Sequence, residues 1–230
     1  MNWFVVDVVP VTVTSAVDPP VTVDTAAAPV AVTVCTALPA ADVIVYSTSA
    51  KAWLPDVSVS VASPSSSAPS DVTAIDAAER NIEVAKLHAA EGRLDIDYRV
   101  MQPEDLARTG ATFDVVINLE VVEHVADLNA FMAASAAMVK PGGGMVLSTI
   151  NRTLKSLALA KVMAEYVLRW LPVGTHEWRK FVKPSELARG LRQAGMEITA
   201  LDGMHYDPLS DRWRAGPNLD INYLAFAKKD

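Results

Sequence analysis

At 230 residues the chain is long enough for one domain with a substantial buried core. A formal charge of -7 excludes a general nucleic-acid binder, which draws on clustered positive charge, and the single cysteine, Cys35, excludes an internal disulfide and fits a reducing cytoplasm. No cationic start followed by an apolar run marks a secretory signal, and Asp7, Asp18 and Asp24, with five prolines before residue 40, interrupt the valine-rich beginning too often for a membrane span.

Taken in chain order, residues 1–70 form an atypical Val/Ala/Ser/Pro-rich segment. It contains no glycine, glutamate, arginine or histidine, and Lys51 is its only basic side chain. Runs such as VVDVVPVTVTSAV and DVSVSVAS alternate as strands do, but the turns between them lean on Pro, Ser, Thr and Ala. The composition predicts a sticky, poorly ordered arm with some β content.

From residue 71 the pattern changes to alternating strands and helices. DVTAID reads as a short strand around Val72, Ala74 and Ile75 that ends on Asp76. A carboxylate there suits two vicinal ribose hydroxyls, and it equally suits the N-cap of the helix that follows. AERNIEVAKLHAAEG has Ile82, Lys86, Ala89 and Ala90 at helical spacing and stops at Gly92. Ile96 to Met101 reads as the next strand, and Phe113 to Leu119, FDVVINL, as a uniformly apolar central one. A helix is expected through Val125 to Val139, stopped by KPGGG, and MVLSTI from Met145 to Ile150 forms another strand. Strands around Met196 to Leu201 and Tyr223 to Ala227 complete the pattern, which predicts a mostly parallel α/β sheet with right-handed crossovers.

The polar residues past the central strand are the chemical candidates. Glu120, Glu123 and His124 follow FDVVINL at the carboxyl end of the sheet, where open α/β folds bind ligands. With a helix starting near Glu120, the three- and four-residue spacings bring Glu123 and His124 within reach of one divalent ion. Two acids in a first helical turn also favour the helix dipole without any ion.

Together, the strand-end aspartate, FDVV(x)4E(x)2EHV and VKPGG before an apolar strand resemble the class I S-adenosylmethionine-dependent methyltransferases. NRTLKSLALAKVMAEYVLRWLPVGTHEWRKFVKPSEL and DGMHYDPLSDRWRAGPNLDINYLAFAKK narrow this, because they are similar to the ubiquinone-biosynthesis O-methyltransferase family. The resemblance covers residues 71–230, as one methyltransferase domain with an amphipathic insert at 151–184. It implies a Rossmann-like sheet with an antiparallel strand near its end, Asp76 as the ribose acid, and Leu119 lining the cofactor pocket. Glu120, Glu123 and His124 match the family's cluster, thought to hold Mg2+ or a similar ion near a catechol hydroxyl. Asp105 is a weaker match for a contact to the adenine amino group, against an exposed loop acid. No individual catalytic residue is assigned. The implied reaction is O-methylation of polyprenylated hydroxyphenol and demethylubiquinol intermediates. A methyltransferase of another small molecule and a non-catalytic product remain the alternatives.

Within the insert, Leu154, Leu157, Ala158, Val162, Met163, Tyr166, Val167 and Trp170 fall on one stripe flanked by Lys155, Lys161 and Arg169. Residues 153–171 therefore suit either a membrane surface or a lid helix packed over the site, and the resemblance implies a cytoplasmic protein peripheral to the inner membrane face. The family's first strand and its DxGCGGG-type loop have no recognisable counterpart upstream of residue 71. A coding sequence read in another frame over residues 1–70 accounts for both absences, against a genuine replacement of the N-terminal part, and weak or absent S-adenosylmethionine binding is the expected consequence.

Overall fold

The computed structural model describes residues 22–24, 30–35, 43–47, 57–62, 72–92, 94–159, 177–207 and 212–230. Its centre is an eight-stranded sheet in the order β10-β9-β11-β8-β7-β3-β5-β6. The strands are β3 (Val43–Ser47), β5 (Val72–Asp76), β6 (Asp97–Val100), β7 (Phe113–Leu119), β8 (Val139–Ile150), β9 (Met196–Asp207), β10 (Arg212–Gly216) and β11 (Asn222–Lys229). From β6 through β5, β3 and β7 to β8 all pairings are parallel, and β11, β9 and β10 join antiparallel. A separate three-stranded sheet contains β1 (Thr22–Asp24), β2 (Val30–Cys35) and β4 (Val57–Ala62).

The sheet has a first strand after all. Val43–Ser47, VIVYS, lies between β5 and β7 in register with both, so that Ser47 pairs with Leu119 and Tyr46 with Ile75. The run is rich in β-branched residues, which strands favour. Without a glycine turn after it, nothing in the sequence marks it as the central one. The crossover from β3 to β5 is unusual, because the described part of it, β4, is a strand paired parallel to β2. The expected glycine loop would come after Ser47, and residues 48–56 lie outside the described residues.

The helices are α1 (Glu79–Gly92), α2 (Pro103–Arg108), α3 (Leu128–Ala137), the single turn α4 (Leu154–Ser156) and α5 (Pro184–Gln193). The helix expected from Val125 starts later because Asp127 caps it, its Oδ1 accepting from Asn129 N at 2.9 Å and Ala130 N at 3.1 Å. It also ends earlier, and KPGGG lies inside β8 rather than in a separate turn. Gly142 there takes φ of +77°, a left-handed conformation that favours glycine.

One face of β7, β8 and β11 carries Val116, Met145, Leu147, Tyr223, Ala225 and Ala227 into a core shared with Phe131 and Met132 of α3 and Leu187 and Leu191 of α5. Helix α5 comes very close to α3, since a Cβ on Gly190 would sit 1.9 Å from the Met132 methyl carbon. Lys229 of β11 reaches back across this layer and donates to Ala136 O, in the last turn of α3, at 2.8 Å and to Val139 O, at the start of β8, at 2.9 Å.

Candidate functional site at the carboxyl ends of the parallel strands

The strand order changes direction between β3 and β7, since the chain runs outward through β5 and β6 on one side and through β8 on the other. Ligands of open α/β sheets bind in the crevice at such a point. Asp76, Ser47 and Leu119 end β5, β3 and β7 there, with Ser47 and Leu119 directly paired.

Asp76 performs the capping role that its position allows. Its Oδ1 accepts from Ala78 N at 2.7 Å and its Oδ2 from the Asn81 amide at 3.0 Å, which anchors the first turn of α1. Each carboxylate oxygen has further acceptor capacity, so capping leaves room for hydroxyl donors. Leu119 is half-buried at the end of an otherwise fully buried strand. Asp105 sits on α2 and pairs with Arg108 one turn along, at 2.5 Å, with both side chains well exposed.

No helix begins at Glu120. Residues 120–127 form turns, and Glu120 itself adopts φ of +53°, an uncommon conformation for a residue with a side chain. The helical spacing argument for Glu123 and His124 therefore does not apply, but the turn brings the two glutamates together by another route. Both are buried, at 7% and 3% exposure. Ser148 is the anchor for the first. Its carbonyl oxygen and its Oγ both accept from Glu120 N, at 3.0 and 3.1 Å, while the Oγ donates to Glu120 Oε1 at 2.9 Å. Thr149 anchors the second, donating from Oγ1 to Glu123 Oε2 at 2.7 Å.

Burial raises the pKa of Glu120, opposed by its hydrogen bonds to Glu123 and Ser148. Burial raises Glu123 well above the usual carboxyl range, and the neighbouring Glu120 carboxyl raises it further. Glu123 Oε1 is buried and accepts no hydrogen bond among the described residues, so a proton shared with Glu120 or a bound cation answers its need. His124 is more exposed, and partial burial, with the Lys180 ammonium nearby, lowers its pKa. Among the described residues no three of His, Cys, Asp and Glu already form a metal-holding group.

Sequence reasoning missed Ser148, Thr149 and Tyr223. The signal was present in MVLSTI, where two hydroxyl residues close an otherwise apolar, fully buried strand. Tyr223, wholly buried and paired with Thr149, donates to Val182 O at 3.0 Å, and burial beside Glu123 raises its pKa far beyond physiological reach. That bond ties the site to the segment returning from the insert. The other neck of the insert is also tied: Asn151 donates to Leu219 O at 2.7 Å, Thr153 to Asp220 O at 2.5 Å, and Trp178 to Thr153 O at 2.9 Å. Arg152 bonds Glu186 and the Arg179 carbonyl oxygen. Residues 160–176, most of the amphipathic stripe, lie outside the described residues; in the described part Leu154 is 77% and Leu159 40% exposed. Among the described residues no helix is long and apolar enough to cross a membrane.

Comparisons with known proteins agree with this architecture. A methyltransferase domain model matches residues 59–201. The ubiquinone biosynthesis O-methyltransferase of Mesorhizobium japonicum is 55% identical over 159 residues, covering 69% of this chain and 64% of that protein. The protein of the same name from Brucella anthropi is 52% identical over 158 residues, with coverage of 69% and 64%. The chain thus spans 64% of the length of these relatives. Among solved structures, a methyltransferase from Methanosarcina mazei described as SAM-dependent superposes with a TM-score of 0.56 at 14% identity, covering 84% of this chain and 93% of that one. Magnesium protoporphyrin IX methyltransferase from Synechocystis, solved with bound SAH, gives 0.52 at 18% identity, covering 84% and 75%. A family model matching well over half the chain, on a sheet of this strand order, means that the chain belongs to the methyltransferase domain family with a class I, Rossmann-like fold.

Proposed function

We propose that this chain is built as an S-adenosylmethionine-dependent O-methyltransferase of polyprenylated hydroxyphenol and demethylubiquinol intermediates in ubiquinone synthesis. The observation that carries this reading is identity of 55% to a ubiquinone biosynthesis O-methyltransferase over a stretch of 159 residues. The cofactor supplies an electrophilic sulfonium methyl. Asp76 accepts the ribose hydroxyls while it caps α1, and Leu119 presents its backbone and side chain to the cofactor at the switch point. Two buried carboxyls side by side, one oxygen of which lacks a donor, fit a divalent cation. Glu120, Glu123 and His124 would hold Mg2+ or a similar ion, which makes phenolate available from a hydroxyl of ordinary pKa near 10. The chain's larger contribution is alignment, because methyl transfer needs the oxygen in line with the methyl and little further chemistry from the protein. Exposed Leu154 and Leu159 beside Lys155 support surface contact of residues 153–171 with a membrane, and hence a cytoplasmic enzyme peripheral to the inner membrane face.

A second reading concerns this particular polypeptide. Residues 1–70 hold no glycine, and the described crossover between β3 and β5 carries a strand of another sheet. A side chain in the turn after β3 would crowd the cofactor, so binding is expected to be weak or absent. A shifted reading frame over residues 1–70, ahead of the methyltransferase pattern of residues 71–230, accounts for the missing glycine. Translating the upstream DNA in its other two frames tests the frame, and absence of a glycine loop from both sinks it. Transfer of labelled methyl from S-adenosylmethionine to a short-chain demethylubiquinol tests the activity. No transfer by a chain with the glycine loop restored overturns the assignment.

A further inference from the structure

The motif that the reaction leaves unused is the polar end of β8. Ser148 and Thr149 are consecutive, wholly buried, and each spends its hydroxyl proton on a different glutamate of the turn after β7. Their backbones are fixed from two sides: Ser148 pairs with Leu119 of β7 and Leu224 of β11, and Thr149 with Tyr223. Two hydroxyls from adjacent positions of one strand hold one carboxyl oxygen each, so the two carboxyls are fixed relative to the same piece of backbone. Ser148 goes further, because its carbonyl and hydroxyl together receive Glu120 N and hold that residue in its left-handed conformation. Two acids buried three residues apart are poor structural choices where apolar residues would pack, as Val121 and Val122 between them do. The hydroxyls therefore position carboxyls that are retained for another purpose.

We propose that Ser148 and Thr149 are positioning residues that pre-set Glu120 and Glu123 to receive a divalent cation, an assignment that rests on the proposed metal-assisted reading. Each hydroxyl occupies one carboxyl oxygen and orients the other, as outer-shell donors do around metal ligands.

The test measures Mn2+ binding to the full chain from the loss of the free-ion paramagnetic resonance signal, so it needs neither cofactor nor turnover. Ser148→Ala and Thr149→Val remove the hydroxyls; Ser148→Thr and Thr149→Ser keep them. The unsubstituted chain is expected to bind Mn2+, the first two variants to bind at least about tenfold more weakly, and the second two to stay within about threefold of the unsubstituted chain. Near-ultraviolet circular dichroism checks the fold. If Thr149→Val does not fold, Ser148→Ala against Ser148→Thr carries the comparison. Binding that survives in folded Ser148→Ala and Thr149→Val overturns the positioning role and leaves the metal reading standing. Equal loss in Thr149→Ser and Thr149→Val assigns the effect to packing and also overturns it. No binding by the unsubstituted chain overturns the metal reading and this assignment together.

Discussion

Gly203→Ala is the substitution whose cost the backbone geometry fixes most directly. Gly203 lies in β9 with Tyr223 of β11 on one side and Gly216 of β10 on the other, so the ladder prevents it from sliding. A Cβ placed there would stand 1.7 Å from Asn218 O and 2.7 Å from Asn218 C. Those are main-chain atoms, and no rotamer change relieves the clash. The 218–221 segment would have to retreat, yet its carbonyls receive Asn151 Nδ2 at 2.7 Å, Thr153 Oγ1 at 2.5 Å and Asn151 N at 2.8 Å. Overpacking costs about 1–3 kcal/mol, and a backbone clash with three dependent hydrogen bonds belongs near the upper end. For a chain of this size about 3 kcal/mol lowers the melting temperature by about 6–12 °C. Thermal melting followed by far-ultraviolet circular dichroism measures it. A melting point within about 2 °C of the unsubstituted chain refutes the reasoning, because it would mean that Asn218 does not approach the strand.

Three further outcomes rest on the same kind of geometry. Asp76→Ala removes the acceptor for Ala78 N and Asn81 and is expected to destabilise the chain by about 1 kcal/mol in denaturant melts; in a chain with the glycine loop restored it also weakens S-adenosylhomocysteine binding in calorimetric titration, and unchanged affinity there removes Asp76 from the cofactor site. Glu123 has a folded pKa raised above its unfolded value, so the folded state binds more protons and stability is lost as pH rises from the ordinary carboxyl range through the raised value. Glu123→Gln is therefore expected to gain stability relative to the unsubstituted chain with rising pH, and a stability difference that does not change with pH contradicts this. Lys229→Met removes the ammonium donor from Ala136 O of α3 and Val139 O of β8 and is expected to cost about 1–2 kcal/mol, read by chemical denaturation; no change would show that water replaces the ammonium.

Strands β5 and β7 were legible because they are short and apolar and are bounded by polar residues at their carboxyl ends. Phe113 to Leu119 coincides with β7, and Asp76 ends β5 as its position implied. Two things were not legible, for separable reasons. Val43–Ser47 fills the central slot, but a strand is recognised as central through the glycine turn at its carboxyl end, and that turn chemistry is missing from residues 1–70. The Glu120–His124 stretch has helical spacing and yet forms a turn, in which Ser148, far away in sequence, accepts from Glu120 N and Glu120 takes a left-handed conformation that a right-handed helix does not allow. The carboxyl pairing was thus foreseen in composition and misread in geometry. Likewise β9 extends to Asp207 and folds back through β10, a hairpin that Met196 to Leu201 alone did not announce.

The place of β11 has a consequence for the order in which the molecule assembles. It is later in the chain than both of its neighbours, β8 and β9, and separates them completely. The β9–β10 hairpin therefore has no edge to join until Asn222–Lys229 have been made, and until then β8 exposes its backbone donors and acceptors along the length where Ser148 and Thr149 must later set the glutamates. During synthesis the parallel half can condense first, while closure of the carboxylate site waits until β11 has left the ribosome.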